Sequence, residues 1–290
     1  MFIDKNGDKW YKVGLHIHTT ISDGKKTPEE MARIYKNAGF DAVAMTDHWI
    51  FHKEDEIEGL KIISGCEYNL GTTNTIGDTM HIVGIGMKKD PKIIREETTR
   101  QEVIDTINEF GGMAIFAHPY WSVNDKKDAK ELSGFSFVEI YNSVSDVFMS
   151  NRADSSYLID SLANDGYILP IIATDDVHYY NEQDNCVSFV MVKAKSSKQK
   201  DILKALSEGN YYSSQGPHLE VRREGNKIIA ECSPCQKIAF MSNAAWAPDR
   251  MKRGDFIESA EYEIKDFEKW VRVEVTDVNG KRAWSNIIKL

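Results

Sequence analysis

Between residues 10 and 195 the chain alternates short, uninterrupted apolar runs with longer stretches in which apolar residues recur every three or four positions. The runs predict strands over 11–18, 42–46, 60–66, 81–85, 113–117, 137–141, 169–173 and 188–192. Continuous apolarity, rather than alternation, is what strands buried on both faces require. Between them, "TPEEMARIYKNAGF" reads as a helix with Thr27 as N-cap, Pro28 at the first helical position, Glu30 closing a capping box and Gly39 as terminator. "PKIIREETTRQEVIDTINEFGG" and "NRADSSYLIDSLANDG" carry the same helical spacing and also end in glycine. Strands alternating with helices predict a parallel sheet with crossover helices, and seven or eight such units suggest a barrel.

The pattern changes near "YYSSQGPH". Beyond it, strands alternate around Gly-Asn and Asn-Gly turns and no helix is predicted. The expected division is an α/β unit over 1–213 and a small all-β, sandwich-like domain over 214–290.

A length of 290 residues suits that division, and 41% hydrophobic with 28% charged residues is ordinary for a globular chain. The net charge of -9 argues against stable nucleic-acid binding, which needs a basic surface. There is no membrane-length apolar run, and the start "MFIDKNGDKW" lacks the pattern of a signal peptide, so a cytoplasmic protein is expected. Cys66, Cys186, Cys232 and Cys235 are too few for a disulfide scaffold. The single CxxC at Cys232 and Cys235 reads as small residues on a strand and its turn.

The histidines carry the chemistry. His16 and His18 close the first predicted strand, His48 follows the second, His81 opens the fourth, His118 ends the fifth and His178 follows the seventh. Residues i and i+2 of a strand share a face, so His16 and His18 can grip one ion. In a parallel barrel the strand ends that precede the helices share one rim, where active sites are built. Asp23, Glu67 and Asp176 join that rim. One buried histidine needs only a hydrogen-bond partner, but six converging with three carboxylates would each need their own. Mixed imidazole and carboxylate donors suit zinc, manganese or iron better than magnesium. Nine ligands exceed one tetrahedral ion, so two or three divalent ions are expected.

In order, "HIHTTISDG", "AMTDH", "GCEY", "MHIVGIG", "FAHP" and "ATDDVH" resemble the PHP (polymerase and histidinol phosphatase) family. The resemblance covers about residues 10 to 195. It implies a distorted (β/α)7 barrel around a trinuclear metal centre. It assigns His16, His18, Glu67 and Asp176 to one ion, Glu67, His81 and His118 to a second, and Asp23, His48 and His178 to the third. The tail resembles the small β-domain appended to some PHP proteins, including relatives of carbamate-hydrolysing members.

Three divalent ions against three carboxylates and a bridging hydroxide leave a surplus of about two positive charges, which complements a phosphate monoester. The expected activity is therefore metal-dependent hydrolysis of a small nucleotide or sugar phosphate, with metal-bound hydroxide as nucleophile. Asp176 and His178 are the expected catalytic residues, Asp176 passing on the water's proton. The alternative is a carbamate, ester or amide hydrolase using the same centre; an inert barrel with a ligand-binding β-domain is a third reading. Arg100 or Arg152 is the candidate phosphate clamp. Tyr120 and Trp121, with Trp49, Tyr68 and Tyr179, are candidates for an aromatic pocket, or else pack rim loops. Asp47 and Asp175 either orient ligand histidines or lie solvated in turns. His52 and His218 are expected at the surface. Oligomeric state is left open by the sequence.

Overall fold

Thr27 caps the first helix as its spacing predicts: its hydroxyl accepts from the Glu30 amide while the Glu30 carboxylate accepts from Thr27. The computed structural model describes every residue except Ile76 and Asn181. In chain order its elements are β1 (Phe2–Ile3), β2 (Lys9–Gly14), α1 (Pro28–Asn37), β3 (Ala42–Ala44), β4 (Glu56–Ile57), β5 (Leu60–Ile63), β6 (Gly65–Leu70) and β7 (Met80–Ile85). Next come α2 (Arg100–Glu109), β8 (Met113–Phe116), α3 (Lys126–Lys130), β9 (Phe135–Asn142), a π-helical turn (Ser145–Met149), α4 (Ser156–Asn164), β10 (Ile171–Thr174), β11 (Phe189–Lys193), α5 (Gln199–Ser207) and β12 (Tyr211–Ser214). The rest is strand: β13 (Leu219–Glu224), β14 (Lys227–Ser242), β15 (Met251–Glu263), β16 (Trp270–Thr276), β17 (Arg282–Trp284) and β18 (Ile288–Lys289). This is a mixed α/β architecture with additional C-terminal strands. Among the described residues no helix is long and apolar enough to cross a membrane.

One sheet runs β13-β14-β16-β17-β12-β11-β2-β3-β5-β4, and a second runs β10-β9-β8-β7-β6. Isolated parallel bridges at Ile17–Val177 and His48–Glu67 join them. Val13, Ile63, Val83, Ile115, Phe137 and Ile172 fill the space they enclose, all essentially inaccessible.

Two expectations change here. The sheet is not wholly parallel: β2–β3, β3–β5, β8–β9 and β9–β10 are parallel, whereas β6–β7, β7–β8 and β11–β2 are antiparallel. The 71–79 connection is too short for a crossover helix, which needs about a dozen residues or more, so β7 returns beside β6 as a hairpin. The helix expected from residue 91 starts only at Arg100, because Thr99 and Glu102 form a capping box that fixes the start there.

The tail is not a detached module. β12 pairs β11 on one edge and β17 on the other, so the sheet continues through residue 214. Arg272 of β16 grips Asp160 of α4 with Nε and Nη2 at 2.7 and 2.8 Å. Arg282 of β17 donates to Asp154 at 2.5 Å. Cys232 and Cys235 lie buried along β14 with their sulfurs 3.6 Å apart.

Candidate metal centre

His16 and His18 lie just beyond β2, on either side of the Ile17 bridge, and their Nε2 atoms are 3.2 Å apart. Backbone bonds hold them against the loop after β10: His18 N donates to Val177 O, and Asp176 N donates to His16 O. The turn that follows brings Asp23 back, with Oδ1 3.4 Å from His178 Nε2 and Oδ2 3.8 Å from His48 Nε2. Glu67 of β6 lies at the middle. Its Oε2 is 3.3 Å from His16 Nε2, 2.9 Å from His18 Nε2 and 3.1 Å from His48 Nδ1. Its Oε1 is 2.9 Å from His81 Nδ1 and 3.4 Å from His118 Nε2.

All nine residues singled out from the sequence are thus brought together. Their donor atoms fall into three groups, each spanning no more than 4.8 Å: His16, His18, Glu67 and Asp176; Glu67, His81 and His118; and His18, Asp23, His48 and His178. Glu67 and His18 each belong to two groups.

The residues fit divalent cations. Glu67 Oε2, Asp176 Oδ1 and His48 Nδ1 are buried without a hydrogen-bond partner. Buried polar atoms are rarely left so, and these three lie among the donor groups, where bound cations would satisfy them. The surrounding rings are set by outer bonds. His178 Nδ1 donates to the Asp176 carbonyl at 2.8 Å, leaving Nε2 bare toward Asp23. His16 Nδ1 donates to Glu139 Oε1 at 2.7 Å, leaving Nε2 toward Glu67 and Asp176.

The titration of the cluster reflects the same demand for positive charge. Burial alone would depress His18, but Asp176 and Glu67 outweigh it and raise the ring to about 10. Burial wins at His48, which falls to about 4. Burial opposes ionisation of Glu67, yet the His16, His48 and His81 rings hold its carboxyl well below the usual range. Asp23 falls to about 2 against its own burial, chiefly through His178.

Backbone strain is present at the same rim, as it is at several turns elsewhere in the chain. Trp49, His118, Asp176 and Tyr179 have φ of 60°, 26°, 52° and 60°. Side-chain-bearing residues seldom take such values, and those that do cluster where a site over-determines them.

The remaining candidates divide. Trp121 lines the cleft, edge-on to His118 at 5.0 Å and His81 at 5.4 Å. Tyr120 instead faces a separate cavity of about 760 Å³ beside α4. Arg100 is spent on the Asp78 carbonyl, and neither it nor the exposed Arg152 borders the cleft. Tyr68 packs edge-on against Trp49 at 5.2 Å.

His52 corrects an expectation: it is buried, with Nε2 2.7 Å from Asp47 Oδ2. Its partner Asp47 also accepts from the amides and hydroxyls of Thr19 and Ser22, so it fixes the turn carrying Asp23 rather than a ligand histidine. His218 is half-buried against the Tyr212 hydroxyl at 3.0 Å, again not at the open surface. Asp175 accepts from Tyr35, Ser143 and two amides, and burial pushes it up to about 6. Sequence reasoning missed Glu139, which accepts from His16, the His118 amide and Asn142. A lone glutamate inside the apolar run "FVEIYN" was the available signal, since a buried charge needs partners.

The PHP domain model matches residues 14–216, the span that holds all three donor groups. The chain belongs to the PHP domain family. The PHP chain is 30% identical over 148 residues to the uncharacterized protein MJ1587 of Methanocaldococcus jannaschii, covering 45% of this chain and 81% of that one. It is 34% identical over 84 residues to a 5'-3' exoribonuclease of Haemophilus influenzae, covering 27% of this chain and 30% of the relative. Among solved structures it resembles a two-domain protein from Bacteroides vulgatus, described as containing a predicted PHP-like metal-dependent phosphoesterase. That match has a TM-score of 0.55 at 15% identity, covering 100% of this chain and 97% of the other, and speaks for the fold.

Proposed function

We propose that this PHP protein is a metal-dependent phosphoesterase hydrolysing a small phosphate ester at a centre of two or three divalent ions. The observation that carries the reading is the sharing of Glu67 and His18 among three contiguous donor groups. Shared donors fit adjacent ions rather than isolated structural sites. A distorted barrel is the matching scaffold, with eight strands where the resemblance implies seven. It is supported by the circuit β2, β3, β5 with β6, β7, β8, β9 and β10, joined back to the start at Ile17–Val177. In this reading residues 1–213 carry the chemistry and 214–290 brace it.

Zinc, manganese or iron held by His16, His18, Asp23, His48, Glu67, His81, His118, Asp176 and His178 would supply Lewis acidity and an activated water at neutral pH. The chain's own residues do the rest. Asp176 is the residue that would pass on the water's proton, its Oδ2 oriented by Asn142 Nδ2 at 3.2 Å. His178, with Nδ1 tied to the backbone, presents Nε2 beside Asp23. Trp121 and Met149 narrow a cleft of about 240 Å³ and limit water around the ester.

His16→Ala and Glu67→Ala are expected to lose bound metal and phosphate release from p-nitrophenyl phosphate together, measured by elemental analysis and initial rates. A metal-free variant that stays active would sink the proposal. Turnover of aryl carbamates without phosphate release would favour the carbamate reading instead.

A further inference from the structure

Among the described residues that line the metal cleft there is no lysine or arginine. A second cavity of about 510 Å³ opens beside it, sharing Asp23, His48 and Asn69 with the cleft and adding Trp49, Ile93 and Arg95. Arg95 is exposed, yet it is not loose: its guanidinium carbon lies 5.3 Å from the centre of the Trp49 ring. No carboxylate of the described residues pairs with it.

Trp49 is an unusually fixed platform. Its amide donates to the Glu67 carbonyl at 2.9 Å, its indole N–H donates to Asn69 Oδ1, and Tyr68 abuts it edge-on. Its φ of 60° is a costly conformation for so bulky a residue. A guanidinium held over an aromatic ring without a carboxylate partner keeps N–H donors available, the group that recognises phosphate or carboxylate bidentately. Asn69 adds to this. With Oδ1 occupied by the indole, its Nδ2 is left as a donor on the wall common to both cavities.

We infer that the cavity beside the metal cleft is a second anion subsite, in which Arg95 on Trp49, helped by Asn69, binds a further phosphate or carboxylate of the substrate. The substrate class is then a phosphate ester carrying a second anionic group a few bonds from the scissile one. This deepens the phosphoesterase reading and rests on it. Local positive charge matters in a chain of net charge -9, because a bis-anion approaching an acidic surface is otherwise repelled.

The test compares the metal-loaded wild type, Arg95→Ala and Arg95→Lys on two pairs of esters that differ in one anionic group. These are propane-1,3-diyl bisphosphate against propyl phosphate, and 3-phosphoglycerate against glycerol 3-phosphate. The wild type is expected to prefer the member with two anionic groups. Arg95→Ala is expected to lower that preference, as a ratio of kcat/KM values, by about ten- to a hundredfold, the worth of a hydrogen bond to a charged group. Arg95→Lys should fall between, keeping charge but losing the fork. Calorimetric binding of methylenebisphosphonate should weaken in parallel. An unchanged ratio in Arg95→Ala, or equal losses on both members of each pair, overturns the subsite. Should the wild type release no phosphate from any ester, the phosphoesterase reading fails, and methylenebisphosphonate affinity that ignores Arg95 then rejects the subsite as well.

Discussion

Glu139 is inaccessible to solvent and accepts three hydrogen bonds: one from His16 Nδ1 on Oε1, and two on Oε2, from the His118 amide and Asn142. Only a carboxylate serves, because every neighbour is a donor. In Glu139→Gln one amide orientation sets NH₂ against the His118 amide and Asn142, and the other sets it against His16. The variant is expected to fold but to bind metal about ten- to a hundredfold more weakly, the usual cost of losing an outer partner of a ligand histidine. Metal titration by calorimetry, alongside near-ultraviolet circular dichroism, measures it. The nine clustered residues were legible because histidine, aspartate and glutamate at apolar strand ends are costly unless used. Arg95 and Asn69 were not, since an exposed arginine and a strand asparagine are ordinary until Trp49 is seen between them.

The tail meets the rest of the chain through the continuous sheet at β12 and β17 and through α4. Arg272, fully buried, holds Asp160 with two parallel bonds, and Trp270 Nε1 donates to Asn164 at the same helix's end. Arg272→Ala leaves Asp160 without its partner and opens a void, and is expected to lower stability by about 3–5 kcal/mol, read from urea unfolding. The neighbouring clasp gives a pH dependence. Burial raises the Asp154 carboxyl, but Arg282 and Ser156 outweigh it, so its pKa is lowered in the folded protein. The unfolded chain therefore binds the proton more readily. The clasp's contribution is complete above an unfolded carboxyl pKa of about 4 and is lost as pH falls through the folded value. Asp154→Asn should flatten the decline in Tm over that acidic range; an unaltered slope would show that Arg282 adds nothing. At this scale the caps of α1 and the site of the change near residue 211 could be read from local spacing. Strand direction could have been partly read too, for the length of the 71–79 connection already forbids a helical crossover.

Across the whole molecule, the donor groups join β2, β3, β6, β7, β8 and β10 with their loops, so ions bound there tie distant segments together. Stripping metal with a chelator should lower Tm, and re-adding zinc, manganese or iron should restore it. Binding at a thousandfold above Kd is worth about 4 kcal/mol, a readily measured shift. Because β12 is paired on both edges, the tail is expected to unfold in the same transition rather than before it. The sequence by itself determined the donor set and its order, the start of α1 and the apolar runs, since these follow from residue type and local spacing. Tertiary structure alone decided that Glu139 backs His16, that Asp47 grips His52 rather than a ligand, and that Arg95 rests on Trp49. Glu139 and His16 lie 123 residues apart and meet only through the fold, Asp47 and His52 are close in sequence but paired by the burial of both, and all three contacts depend on shape and burial that no local pattern encodes.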